Sequence, residues 1–305
     1  MVQKGYDVII LGTGPAGLQA AIHAARKKVS VLAVGKSEKS SLFHAHVENF
    51  CCIFDLSGEA MLQTGREQAQ GFGAEFLDED VLGIESKDAV FEVETESGTV
   101  LSGKALIIAT GTQRNRLNVP GEKEFLGRGV SYCVECDANF FKGEDVAVVG
   151  GESAAAGGVL TLLPDAGSVH MIFNTLNVTP ALKERLIQSK AILHEGTGVK
   201  EIFGKTQVEG ITLKDGSRIA VSGVFIELGA KGVMDLATSL GIRLDDSMRY
   251  IETNKKMETN IPGVFAAGDV CGPPWQMAKA VGEGCVAGIM AADYAKGVRA
   301  SGSRE

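Results

Sequence analysis

The stretch YDVIILGTGPAG, residues 6–17, runs an apolar, β-branched strand into a turn of three glycines and then into a helix of small residues. The pattern recurs as EDVAVVGGESAAAGG from residue 144. Gly12 and Gly150 hold the same place in the two copies, about 138 positions apart. That spacing is too long for a solenoid repeat and suits two nucleotide-binding domains. VSVLAV closes the first unit with a further strand, and SVHMIF closes the second. Short β-branched runs alternating with helical stretches predict an α/β architecture with parallel sheets.

Residues 89–108 alternate like antiparallel strands around a hairpin turn in TESGTV, and VEGITLKDGSRIAVSGVFIEL reads as a hairpin followed by a buried strand. A final helix is expected from about Met277 to Tyr294, with VRASGSRE as a frayed tail. The polar stretch QRNRLNVPGEKEF, which contains Pro120, is expected to act as a hinge. Of 305 residues 45% are hydrophobic and 22% charged, as in ordinary globular proteins. A net charge of −8 and a pI near 5.3 argue against nucleic acid as a partner. No apolar run reaches the length of a membrane span, and the apolar start reads as strand, turn and helix rather than as an export signal. A cytoplasmic location is therefore expected. There, a Cys-x-x-Cys pair is more often catalytic or metal-binding than a static staple.

Gly12, Gly14 and Gly17 form G-x-G-x-x-G between strand and helix. The first glycine permits the tight turn, the second lets the backbone approach a pyrophosphate, and the third lets the helix pack close to the sheet. The helix N-terminus, at Pro15 and Ala16, offers unpaired N–H groups and a positive dipole end to that anion. The acidic residue expected at the end of the next strand is missing, since VLAVG ends in Gly35.

Cys133 and Cys136 have the spacing of a redox dithiol. A helical turn brings such sulfurs together, and a helix N-terminus lowers a thiol pKa, which favours the attacking thiolate. The alternatives are two buried thiols, or half of a zinc site completed by His44, His46, Cys51 and Cys52, whose spacing is irregular for one. No metal is expected.

The segment GRGVSYCVECDANFFKGEDVAVVGG resembles the active-site segment of low-molecular-weight thioredoxin reductases, which are flavoprotein disulfide reductases. VENF at 47–50, LIIATGT at 106–112 (with Ala109, Thr110 and Gly111), IPGVFAAGD (with Gly268 and Asp269) and QMAKAVGEG (with Gln276, Met277 and Ala278) match further positions of that family. The resemblance covers nearly the whole chain. It implies two Rossmann-like three-layer domains of the ββα FAD/NAD(P)-binding type, the second inserted into the first. Residues 1–115 and 245–305 would bind FAD and 116–244 would carry the disulfide. It also implies a homodimer, and rotation of one domain against the other. Cys136 would face the flavin, Cys133 would attack the disulfide of a thioredoxin-like protein, and Asp137 would act as general acid or base. Asn49, Gln276 and Asp269 would contact the flavin cofactor, and the start of the last helix would point its positive end at the flavin ring. Two departures stand out. Ala138 replaces a glycine after Asp137, and Cys51–Cys52 replace a Pro-Gly pair; the resemblance places that segment near the flavin, where extra thiols are either redox-active or buried spectators, and buried spectators are expected.

The second fingerprint departs further. Glu152 occupies the position of the second glycine and Ala155 the last. A carboxylate roughly 5 Å from a phosphate charge costs about 3 kcal/mol per unit pair at an effective dielectric of about 20. The next strand ends in Phe173, Asn174 and Thr175, where the family carries the basic cluster that grips the 2′-phosphate of NADPH. No acidic residue stands there to hold the ribose of NADH either. The resemblance therefore narrows to the pyridine-nucleotide-independent branches, which draw electrons from ferredoxin or from a reduced deazaflavin. A ferredoxin would meet a basic patch, for which Arg114, Arg116, Lys123 and Arg128 are candidates, the alternative for each being an ordinary solvated charged face. The rival readings are an NAD(P)H-dependent reductase with a divergent site, a dithiol oxidase, and a flavin-binding redox sensor without turnover.

Overall fold

The computed structural model describes residues 5–53, 55–87, 90–111, 116–229 and 233–302. By its internal contacts the chain divides into two compact units: Met1–Thr95, Thr99–Thr112 and Ser239–Glu305 form the first, and Glu96–Gly98 with Gln113–Thr238 the second. Elements are numbered along the chain.

In the first unit β1 (Gly5–Leu11), α1 (Pro15–Arg26) and β2 (Val31–Val34) make the expected βαβ unit, with β1 and β2 parallel. A small hairpin of β3 (His46–Val47) and β4 (Leu56–Ser57) precedes α2 (Gly58–Gly71) and β5 (Glu75–Leu77). Next come β6 (Val81–Lys87), β7 (Val90–Thr95) and β8 (Val100–Ile108). The sheet order is β5-β2-β1-β8-β7-β6. Pairing is parallel from β5 to β8 and antiparallel across β8-β7-β6, as the alternation of residues 89–108 requires.

The second unit opens with β9 (Val130–Ser131) and α3 (Val134–Asp137), then repeats the βαβ unit as β10 (Asp145–Val149), α4 (Ser153–Leu162) and β11 (Ser168–Phe173). It continues through α5 (Pro180–Ile187), β12 (Ile192–Glu195), β13 (Val199–Gly204), β14 (Val208–Leu213), β15 (Arg218–Ile219) and β16 (Gly223–Ile226). A parallel sheet in the order β12-β11-β10-β16-β9 faces an antiparallel sheet β13-β14-β15. Phe125, Val149, Ile172, Val199, Ile202, Ile211 and Val224 fill the core of this unit. α6 (Val233–Leu240) leads the chain back to the first unit, where β17 (Val264–Ala266) pairs with the C-terminal half of β8.

The last helix, α7, runs from Met277 to Gly302. This corrects the expected end at about Tyr294: the helix takes in residues 298–302 of the expected tail, and residues 303–305 lie outside the described residues. Ala295 is fully buried, and the residues beyond Tyr294 include helix formers and no proline, so nothing local stops the helix there. α1 and α7 pack backbone to backbone: a Cβ at Gly284 would lie 2.2 Å from the Ala16 carbonyl oxygen, and one at Gly288 would lie 2.4 Å from that of Ala20. The hinge and the basic patch cannot be followed throughout, because residues 113–115 of the hinge stretch, including Arg114, lie outside the described residues.

Adjacent strands β11 and β12 bring His170 Nδ1 to 3.0 Å from His194 Nε2, with the rings stacked. Burial, and then the neighbouring His194, hold His170 below its ordinary value of 6.5, against an opposing pull from Asp145. The folded chain thus binds fewer protons at this site than the unfolded chain between the two values. The stabilising contribution is complete above about pH 6.5 and is lost as pH falls through the lowered value. Thermal melts of His170→Gln are expected to decline less steeply than those of the parent protein between about pH 7 and pH 5.

Candidate flavin and disulfide sites

The first fingerprint is built from contacts that only glycine allows. A Cβ on Gly17 would lie 1.9 Å from the Gly12 carbonyl oxygen, and one on Gly12, at φ +109°, would lie 2.3 Å from that of Ala109. A Cβ on Gly14 would meet only Ser40 Oγ, at 3.3 Å. Gly12 and Gly17 are therefore structural, and Gly14 keeps one face of the turn open at the head of α1. Pro15 starts α1, no side chain caps it, and its first turn carries no acidic residue. These features fit an anionic pyrophosphate at the positive end of the helix.

Two more turns converge on the same place. Ala109, Thr110 and Gly111 follow β8, with Ala109 N donating to Leu11 O at 2.8 Å. Gly111 has φ +74°, and a Cβ there would meet nothing within 4 Å. After β17, Gly268 has φ +90°, and its missing Cβ would lie 3.0 Å from the Ala16 methyl. Asp269 is half-buried, and its carboxyl is held above the ordinary range by burial; Lys279 opposes the shift and Glu283 adds to it. Gln276, Met277 and Ala278 stand at the start of α7. Asn49 Nδ2 donates to Gln276 Oε1 at 3.3 Å, which joins two side chains singled out separately in the sequence.

Two residues to which the sequence reading gave no role organise this turn. Lys279 Nζ donates to the Gly268 carbonyl at 2.9 Å and pairs with Glu283 Oε2 at 2.9 Å. The same Glu283 oxygen accepts from Gly268 N at 2.8 Å. One i,i+4 ion pair thus holds both polar groups of the glycine before Asp269. QMAKAVGEG contained the spacing, but not the direction in which the pair is aimed.

In the second unit Cys133 and Cys136 are joined in a disulfide with an S–S distance of 1.98 Å. Cys133 is the N-cap of α3, its Sγ accepting from Cys136 N at 3.1 Å. Cys133 is 3% exposed, whereas Cys136 and Asp137 are half-buried, in the same helical turn. Two buried glutamates brace this segment. Glu227 Oε1 accepts from Val134 N, the first N–H of α3, at 3.1 Å. Glu122 accepts from Leu117 N at 3.1 Å and from the Tyr132 hydroxyl at 2.6 Å. The Glu227 partnership was not legible in the sequence, because Glu227 lies 93 positions from Val134.

At the second fingerprint, Gly150 has φ +152°, and its missing Cβ would lie 2.0 Å from the Glu227 carbonyl oxygen. A Cβ on Gly151 would lie 2.1 Å from the Thr175 carbonyl oxygen and 3.4 Å from Phe173 Cβ. Asn177 N donates to Gly151 O at 2.7 Å. The loop after β11 is therefore fastened to the glycine turn, with Phe173 buried against it. Glu152 stands at the N-cap of α4 and places a carboxylate where the first site has Gly14.

Cys51 and Cys52 are exposed, with sulfurs 3.6 Å apart, which corrects the expectation of buried spectators. They lie on a turn of the β3–β4 loop, away from the apolar core that would bury them. Among the described residues no group of three or more His, Cys, Asp or Glu is placed to hold a metal ion, and no helix is long and apolar enough to cross a membrane.

Two dinucleotide-type units, one with an open glycine turn and one carrying a Cys-x-x-Cys disulfide, define a flavoprotein disulfide oxidoreductase. Residues 6–284 match the model of the pyridine nucleotide-disulphide oxidoreductase family. The chain is 34% identical to the thioredoxin reductase of Treponema pallidum (strain Nichols), over 96% of this chain and 98% of that protein. Among solved structures, the atypical thioredoxin reductase TRi from Desulfovibrio vulgaris Hildenborough matches with a TM-score of 0.85 and 33% identity, over 95% of this chain and 98% of that one. A ferredoxin-flavin thioredoxin reductase from Clostridium acetobutylicum matches with a TM-score of 0.69 and 30% identity, over 95% and 98%. The chain belongs to the pyridine nucleotide-disulphide oxidoreductase family, among its thioredoxin reductases, which are FAD flavoproteins.

The glycine contacts separate folding from cofactor binding. Gly17→Ala is expected to lose at least about 1–3 kcal/mol of stability, because its methyl would strike a backbone carbonyl. Gly14→Ala should keep its melting temperature within a few degrees yet purify with less flavin. The ratio of flavin to protein absorbance, read beside a thermal melt, distinguishes the two effects.

Proposed function

We propose that the protein is an FAD-dependent disulfide reductase that reduces a thioredoxin-like protein and draws its electrons from a donor other than a nicotinamide, a reduced ferredoxin. The observation that carries this reading is the second fingerprint, where Glu152, the fastened 174–177 loop and the uncharged Phe173-Asn174-Thr175 end of β11 stand in the place of a phosphate cradle. The likeness to a ferredoxin-flavin thioredoxin reductase supports it. So do Arg116, Lys123 and Arg128, which are exposed, as is Leu126, and would suit an acidic partner.

In this proposal residues 1–115 and 245–305 hold FAD, and 116–244 form the disulfide domain. Gly12, Gly14, Pro15, Ala16 and Gly17 take the pyrophosphate, and Gly268 and Asp269 the ribityl-phosphate part. Ala109, Thr110 and Gly111 line the cofactor, as do Asn49, Gln276, Met277 and Ala278. FAD, when bound, supplies two electrons to the Cys133–Cys136 bond through Cys136. Cys133 then attacks one sulfur of the partner's disulfide as a thiolate, and Cys136 resolves the mixed disulfide, so that the pair is oxidised again and the partner leaves as a dithiol. Asp137 holds or moves the thiol proton within the α3 turn. Cys133 is buried, so a rearrangement around it must precede its attack. The proposal extends to a cytoplasmic homodimer.

Stopped-flow mixing tests the donor. Reduced ferredoxin is expected to bleach the flavin absorbance rapidly, and NADPH or NADH at micromolar levels to leave it unchanged. Fast bleaching by either nucleotide would overturn the nicotinamide-independent reading. Oxygen uptake with a small dithiol, and no reduction of a thioredoxin disulfide by the reduced protein, would replace it with a dithiol oxidase.

A further inference from the structure

The β3–β4 loop carries two adjacent thiols that the chemistry above does not use. Ile53 N donates to Phe50 O at 3.0 Å and closes a four-residue turn with Cys51 and Cys52 at its centre. Cys52 has φ +70°. Glycine or asparagine usually fills that position of a type II turn, because a Cβ disfavours the left-handed region. A cysteine held there against its preference, beside a second cysteine, sets the two side chains next to each other. Their sulfurs are 3.6 Å apart and face solvent. Free cysteine commonly packs as a small hydrophobe, and these two do not. Cys271 offers the contrast: burial pushes its thiol up to about 12.

We propose that Cys51 and Cys52 are a second redox couple, a vicinal dithiol that closes reversibly to a disulfide by exchange with an external disulfide. A thiolate of the pair attacks one sulfur of the disulfide R–S–S–R; a mixed disulfide forms and one R–S⁻ leaves. The neighbouring thiolate then attacks the cysteine sulfur of that bond, which forms the Cys51–Cys52 bond and expels the second R–S⁻. Two electrons pass from the pair to the external disulfide, and the two thiol protons end on the two released thiols. Exposed couples of this kind are the labile ones. Asn49, two positions earlier, is hydrogen-bonded to Gln276 at the head of α7, so closure would act on a loop tied to that helix.

The holoenzyme suffices for the test, because cleavage after Lys39 and Arg66 yields a peptide that contains these two cysteines and no other. The protein is equilibrated in glutathione buffers from reduced to oxidised, trapped with N-ethylmaleimide, digested and weighed. The expected result is an about tenfold fall in the doubly labelled peptide as the buffer becomes oxidising, with the same peptide appearing two hydrogens lighter and unlabelled, and full recovery on reduction. Cys52→Gly, which suits the turn, should stay folded and leave Cys51 as a mixed disulfide with glutathione. Two thiols labelled across the whole series, or a lasting glutathione adduct on the unchanged pair, would overturn the proposal.

Discussion

The head of α1 depends on carbonyl oxygens coming closer to glycine Cα atoms than any side chain permits. Gly17 sits on the Gly12 carbonyl and Gly12 on that of Ala109. These contacts draw strand, helix and the turn after β8 onto one point, and the bare N-terminus of α1 faces outward there. Gly284 and Gly288 extend the same device into α7, pressing it on α1 so that the Gly268–Asp269 turn and the Lys279–Glu283 pair arrive at the same place. A pyrophosphate site needs such a concentration of backbone donors, and side chains would dilute it.

The second unit has the same topology and a different chemistry. Gly150 makes the equivalent backbone contact with Glu227, so the fold of the turn is kept. Past that point the resemblance stops, because Glu152 brings negative charge and the loop carrying Thr175 and Asn177 is bound to Gly151. Glu227 meanwhile turns its carboxylate to the first N–H of the redox helix. In the proposed reading, what remains of a nucleotide domain serves as a mount for Cys133 and Cys136.

The strands of the two βαβ units, the buried strands β8, β16 and β17, both fingerprints and the cysteine pair were legible because apolar runs, glycines and a four-residue spacing are local signals; the short strands β3, β4, β9 and β12 carried no such signal. The length of α7 was misread where the apolar pattern weakened after Tyr294, although Ala295 is buried by its neighbours in space. The burial of Cys51 and Cys52 was misjudged for the opposite reason: composition gives a thiol's average habit, and the turn sets its actual exposure. Glu122, Glu227, Lys279 and Glu283 could not be assigned beforehand, since each acts through a partner fixed only by the tertiary fold. Charges at such positions look like ordinary solvated residues until their hydrogen bonds are seen.

The most direct measurement is calorimetric titration of the oxidised, FAD-loaded protein with NADPH and with NADH. Closure of the second unit predicts no saturable heat with either nucleotide up to millimolar concentration, in the parent protein. A saturable isotherm with a micromolar Kd for either one would contradict the account.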